Sequence, residues 1–303
     1  TEMARELEAL AEKRRDMELV ADYFTARADK YRAIGALGHS RHAFLLTGWI
    51  PAVDIPLVQR QLEALCPCVL ETEDGDPEEA PVKLYNNAFA APAESITEMY
   101  AMPLPSDIDP TPVVSFFYYL FFGMMLSDAG YGLVMIVGIL TLIFLKKPAK
   151  KNARLLWVLF GGAVMTVVWG AAYNTWMGFT SPWGGLLDPM NDPMPVMMIC
   201  LAVGVIHLYA GLGMAAYLNF KRGKPLDALY DQFSWIFALT GLGLYALCSG
   251  TLQTIGLGLT IFGVALLLLF GGREKKNPFA RLLGGLSQIY GATSWISDIL
   301  SYM

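Results

Sequence analysis

After residue 112 this chain turns apolar and stays so, interrupted only by short polar connections. Apolar blocks cover residues 113–145, 155–176, 195–220, 233–248 and 252–270, and a last one opens near Phe279. About 20 apolar residues let a helix cross the hydrocarbon layer. Inside lipid each backbone N–H and C=O must find its partner within the protein, so apolar runs of this length are read as helices. The pattern predicts an all-α polytopic membrane domain over residues 111–303. A mean hydropathy of +0.43 agrees, because 55% apolar and 16% charged residues are outside the range of one soluble domain of this size.

Charge divides the chain near Pro110. Residues 1–110 hold 20 of the 27 acids and 10 of the 22 bases; the remainder holds seven acids and twelve bases. Residues 1–37 read as the end of a coiled-coil arm, with Met3, Leu7, Leu10, Met17, Val20 and Phe24 at helical spacing on a charged helix. Residues 38–82 read as a small α/β lobe. It has a strand over 42–50 stopped by Pro51, a helix over 56–65 and a second strand over 68–72. Residues 83–110, rich in proline, lead into the membrane through a short helix near Ser95. Thr1 and Met303 both fall inside helical patterns, which reads as a piece of a longer chain.

Bases in the membrane part fall in three short loops. Lys146, Lys147, Lys150, Lys151 and Arg154 form the first; Lys221, Arg222 and Lys224 the second; Arg273, Lys275, Lys276 and Arg281 the third. Connections 177–194 and 249–251 have none. The positive-inside rule puts all three basic loops in the cytoplasm. The polar N-terminal part, with no export signal, is expected there too. Residues 113–145 must then cross an even number of times. Their 33 residues make two helices of about 24 Å each, and Ser127-Asp128-Ala129-Gly130-Tyr131-Gly132 supplies a turn. A helical hairpin is predicted, against one tilted helix with a buried Asp128. The total is six crossings plus the start of a seventh.

Other function classes find no footing. A net charge of -5 leaves no basic surface for nucleic acid. Cys66, Cys68, Cys200 and Cys248 are scattered and read as reduced and structural. No P-loop, nucleophile with its base, or metal cluster is visible, so neither enzyme chemistry nor a cofactor is expected.

Several segments together carry a resemblance. Residues 109–132, DPTPVVSFFYYLFFGMMLSDAGYG, resemble the first membrane hairpin of subunit a of V/A-type ATPases, called subunit I in bacteria and archaea. Upstream, Gly48-Trp49-Ile50-Pro51 and residues 87–100 are similar to the family's strand end and its approach to the membrane. Downstream, residues 191–194 (NDPM), 204–211 (GVIHLYAG), 227–235 (DALYDQFSW) and 298–302 (DILSY) match in order. The resemblance implies a stator subunit of the membrane (V0/A0) sector of a rotary ATPase, multi-pass in the cell membrane. Its partners would be rotor-ring proteolipid subunits, peripheral stalk subunits and membrane lipid. It implies two half-channels for protons or sodium ions. It also implies an arginine that drives a ring carboxylate to its ionised form; in this numbering that residue falls beyond Met303. A carboxylic acid in lipid stays neutral because desolvation raises its pKa, and a fixed cation reverses this.

On that reading Asp298, with Gln288, Ser294 and Ser301, lines a half-channel; the plainer alternative is a helix–helix hydrogen bond. Asp128 caps or closes the hairpin turn, or joins the ion path. His207 is a satisfied core histidine or a proton relay. Asp188 and Asp192 belong to a solvated loop or a channel mouth, and Asp227 and Asp231 are expected to cap a helix. Glycines in 241–243 and 256–263 are expected to serve close helix packing. Two other classes stay in view. A secondary ion transporter would show paired broken helices in repeated halves, and a membrane-anchored scaffold would place no polar residue on the last helix.

Overall fold

The computed structural model describes residues 13–40, 42–76, 79–182, 184–273 and 278–302. The chain forms two units, Thr1–Asp76 and Pro77–Met303.

In the first unit, α1 (Arg14–Ala36) is a single charged helix, braced by Arg14–Glu18 and Arg32–Asp29 pairs one turn apart. The part of the expected helix before Lys13 lies outside the described residues. Met17, Val20, Phe24 and Tyr31 line one side of α1 and are exposed within the unit. Strands β1 (Gly38–His39) and β2 (Phe44–Leu45) pair antiparallel, and α2 (Ile55–Leu65) follows Pro51. The strand expected over 42–50 is thus two residues long, and residues 68–72 form no strand at all. Both corrections have one cause. The alternation of apolar residues found no core to bury against: Leu45 is 68% exposed and Val69 is 88% exposed. A strand without a partner and without a buried face gains nothing over coil.

The second unit is built of helices. A short helix α3 (Glu94–Tyr100) sits at the foot of the membrane helices. Ala93 and Ile96 pack with Tyr119 and Val158 in one core cluster, and the hydroxyls of Thr97 and Thr111 meet at 2.9 Å. The first apolar block is broken where its sequence predicts. Helix α4 (Thr111–Leu126) ends on Ser127 in the left-handed conformation, φ 47°, and α5 (Ala129–Lys146) starts immediately after Asp128.

Both arms pack on α6 (Lys150–Ala172). Tyr119 meets Gly161, Phe122 meets Gly162 and Gly123 meets Met165, so α4 runs parallel to α6. Ala129 meets Gly170 and Gly132 meets Ala163 and Val167, so α5 runs antiparallel to it. The two arms therefore run in opposite senses: a hairpin with α6 as its common support.

Helix α7 (Pro193–Lys221) is the longest of the unit. A π-helical turn at Ala228–Phe233 opens directly into α8 (Ser234–Leu247). Asn219 bonds Gln232 and Tyr209 bonds Thr240, so α7 and α8 are antiparallel. Helix α9 (Thr251–Phe270) returns along α8. Gly241, Gly256 and Gly263 face Thr260, Tyr245 and Ala238, and a Cβ on any of them would come within 2.7 Å of a backbone atom. These three glycines serve the predicted close approach; Gly243 and Gly258 face open space. The last run is divided at Gly291 into α10 (Pro278–Tyr290) and α11 (Ala292–Leu300). Helices Ala129–Lys146, Asn152–Ala172, Pro193–Lys221 and Thr251–Phe270 are long and apolar enough to cross a membrane, with Thr111–Leu126 a shorter apolar helix. The chain is a multi-pass membrane protein.

Candidate functional site

Polar groups inside an apolar bundle are costly unless they are partnered. Helix α11 has two unlike sides. Ala292, Trp295 and Ile299 pack onto the core of Leu208, Leu212, Trp235 and Leu267, and Trp295 lies 5.7 Å from Trp235 between ring centroids. Ser294, Ser297, Asp298 and Ser301 are spaced three or four apart, which puts them along one stripe. All four are exposed and turned from the core residues. Ser301 Oγ donates to the Ser297 carbonyl at 2.8 Å. The outcome is a carboxylate flanked by hydroxyls on a helix face that the other described residues leave uncovered.

Three predicted residues come together here and three do not. Asp298, Ser294 and Ser301 share the stripe. Gln288 belongs to α10 and donates from Nε2 to the Gly271 carbonyl at 3.2 Å, at the end of α9. His207 belongs to α7. Its Nδ1 is 2.6 Å from the Tyr302 hydroxyl, between the rings of Phe117 and Phe121, whose centroids are 4.5 and 5.2 Å away.

Asp128 is separate again. It is buried, and Oδ1 accepts from the Tyr131 N–H at 3.0 Å and the Met177 N–H at 2.9 Å. One carboxylate thus caps α5 and ties the 173–190 loop over the hairpin turn. Thr175 extends the tie, accepting from the Ala129 N–H at 2.9 Å and donating its hydroxyl to the Ser127 carbonyl. Burial pushes the Asp128 carboxyl up, but N–H donations from Met177, Tyr131, Gly130 and Gly178 outweigh it and leave the group below the ordinary carboxylate value. Asp188 folds its own loop, accepting from the Asn191 side chain at 2.7 Å, and Asp192 makes no side-chain cap to α7.

Asp227 and Asp231, expected as helix caps, cap nothing. Both hold Arg273. Asp231 takes two hydrogen bonds of 2.7 Å from its guanidinium, and Asp227 lies 2.9 Å away. The guanidinium also stands 5.7 Å from the Tyr230 ring centroid, and that ring stacks on Phe270 at 4.0 Å. A planar fork meeting a carboxylate at both oxygens is stronger than a cap to a neutral amide. It holds the guanidinium well above its usual pKa, through the Asp231 hydrogen bonds first.

Each basic loop repeats the device. Arg154 lies 3.1 Å from Glu98 and 3.6 Å from Glu94 on α3, and Arg222 lies 2.6 Å from Asp107. The sequence predicts these arginines on one side of the bilayer but gave no sign of their acids. Among the described residues no group of three or more His, Cys, Asp or Glu side chains is placed to hold a metal ion.

Comparison with known proteins bears on this arrangement. The V-type ATPase 116kDa subunit family matches residues 3–187. A protein of Thermococcus kodakarensis named A-type ATP synthase subunit I is 31% identical over 271 residues, covering 80% of this chain and 40% of its own. The protein of the same name from Methanocaldococcus jannaschii is 28% identical over 344 residues, covering 99% and 49%. One from Borreliella burgdorferi, named V-type ATP synthase subunit I, is 27% identical over 289 residues, covering 85% and 46%. The chain spans less than half the length of each of these relatives.

Proposed function

Because the chain belongs to the V-type ATPase 116kDa subunit family, we propose that it is the membrane-sector stator of a rotary ATPase and carries part of an ion path. The stripe on α11 is the observation that carries the reading. Asp298 and its serines form a wettable track on a face that the other described residues leave uncovered, and an ionisable residue at membrane depth marks an ion route by default. The occupant of that face is the rotor ring, whose carboxylates would exchange protons or sodium ions with water held along the track. The subunit does no ATP chemistry; the peripheral stalk joins it through the N-terminal unit.

The orientation is part of the proposal. The N-terminal unit and all three basic loops lie in the cytoplasm, supported by the charge asymmetry and by the arginine pairs that tie two of those loops to residues 94–107. The test uses the full-length subunit in its assembled complex, reconstituted in proteoliposomes. Asp298→Asn is expected to lower ATP-driven ion uptake roughly a hundredfold or more, the scale of losing one proton-transfer group, with assembly unchanged. Uptake at the wild-type rate would overturn the reading.

A further inference from the structure

One polar contact between the end of α11 and α7 is not on the stripe. It is the His207–Tyr302 hydrogen bond, 2.6 Å long. Tyr302 lies in the turn that ends α11, four residues beyond Asp298. Its ring is held on three sides. Phe121 of α4 stacks on it at 4.7 Å and 25°. His207 meets it edge-on at 5.8 Å and 90°. Gly204, one turn before His207 on α7, closes the slot, and a Cβ there would lie 2.5 Å from the ring.

Direction follows from these contacts. Tyr302 at the end of α11 meets Gly204 and His207, whereas its earlier residues pack with Leu208 and Leu212. Helix α11 therefore runs antiparallel to α7. Its described contacts through Ala292, Trp295 and Ile299 are apolar, and an interhelical hydrogen bond adds to such packing in holding a helix in lipid. A hydrogen bond at the end of the helix sets it to a defined angle.

We propose that His207 is a positioning residue: through Tyr302 it fixes the rotation of α11 and so the direction in which Asp298 faces. This rests on the reading of Asp298 as part of the ion path. In this role His207 acts by position. Phe117 and Phe121 flank its ring, and its Nδ1 is taken up by Tyr302.

The test again uses the assembled complex with the full-length subunit, in a background without native cysteines. Spin labels at Ala202→Cys on α7 and Ile296→Cys on α11 report the angle between the helices as a distance distribution. Tyr302→Phe removes one oxygen and keeps the stack. His207→Leu removes the partner, and His207→Asn returns an amide near the position of Nδ1. Tyr302→Phe and His207→Leu are expected to broaden the distribution and lower ion uptake roughly threefold, the scale of one interhelical hydrogen bond in lipid, while His207→Asn recovers both. Narrow distances in both variants would overturn the proposal. So would broadened distances with uptake unchanged, or lost uptake with distances unchanged. The Asp298→Asn variant separates the two ideas: normal uptake there defeats the ion-path reading, while the distances still decide whether His207 holds α11.

Discussion

Asp128 shows how one side chain makes a membrane hairpin possible. A turn joining two membrane helices leaves backbone donors unpaired, and this carboxylate accepts one of them, from Tyr131, together with the Met177 N–H of the loop that covers the turn. Replacing it by Ala is expected to cost about 1–2 kcal/mol, the loss of a cap together with a second acceptor, read as a lower melting temperature of the complex. The pH sign follows from the direction of its shift. The folded carboxyl lies below its ordinary value. Its contribution is therefore complete above about pH 4 and fades as pH falls through the lower folded value. Asp128→Asn should lose that acid-sensitive share of stability; an unchanged acid profile would contradict the assignment. The sequence made Asp128 legible because its cap is local, three residues away. Asp227 and Asp231 were misread as caps for the converse reason: Arg273 lies more than 40 residues on, where no spacing rule reaches. The Tyr302 partner of His207 was hidden in the same way.

At the scale of elements, helix was legible wherever lipid enforces it. The blocks at 113–145, 195–220 and 252–270 gave their helices because backbone in hydrocarbon has no alternative. The strands of the N-terminal unit were overread, since alternation predicts a strand only if something buries it. Glycine composition was informative, yet which glycines matter was not. Gly123→Ala places a methyl group 2.5 Å from the Met165 backbone, whereas Gly243 faces open space. The first change is expected to cost about 1–3 kcal/mol by overpacking; the second should be neutral or slightly stabilising. Equal melting temperatures for the two variants would contradict this packing. Arg273→Met strands two carboxylates that are only about one-third exposed. A loss of about 1–3 kcal/mol is expected, below that of a fully buried pair. Adding Asp231→Asn to Arg273→Met should recover part of it, and strict additivity of the two would refute the coupling.

For the whole molecule, everything turns on the sense in which the chain first crosses and returns. If α4 and α5 run in opposite directions, then Lys147, Lys224 and the segment before α4 share one face, and the loop with Asp188 has the other. Lysine and arginine placement is what predicts this topology. The residues that lock it, Ser127, Thr175 and Met177, were not readable, because they meet across 48 or 49 residues. Single cysteines at Tyr85, Lys147, Lys224 and Leu186, probed with a membrane-impermeant maleimide in sealed vesicles of known orientation, test it directly. Tyr85→Cys, Lys147→Cys and Lys224→Cys are expected to label from the cytoplasmic side and Leu186→Cys only from the other. Labelling of Lys147→Cys from the same side as Leu186→Cys would show that α4 and α5 do not double back.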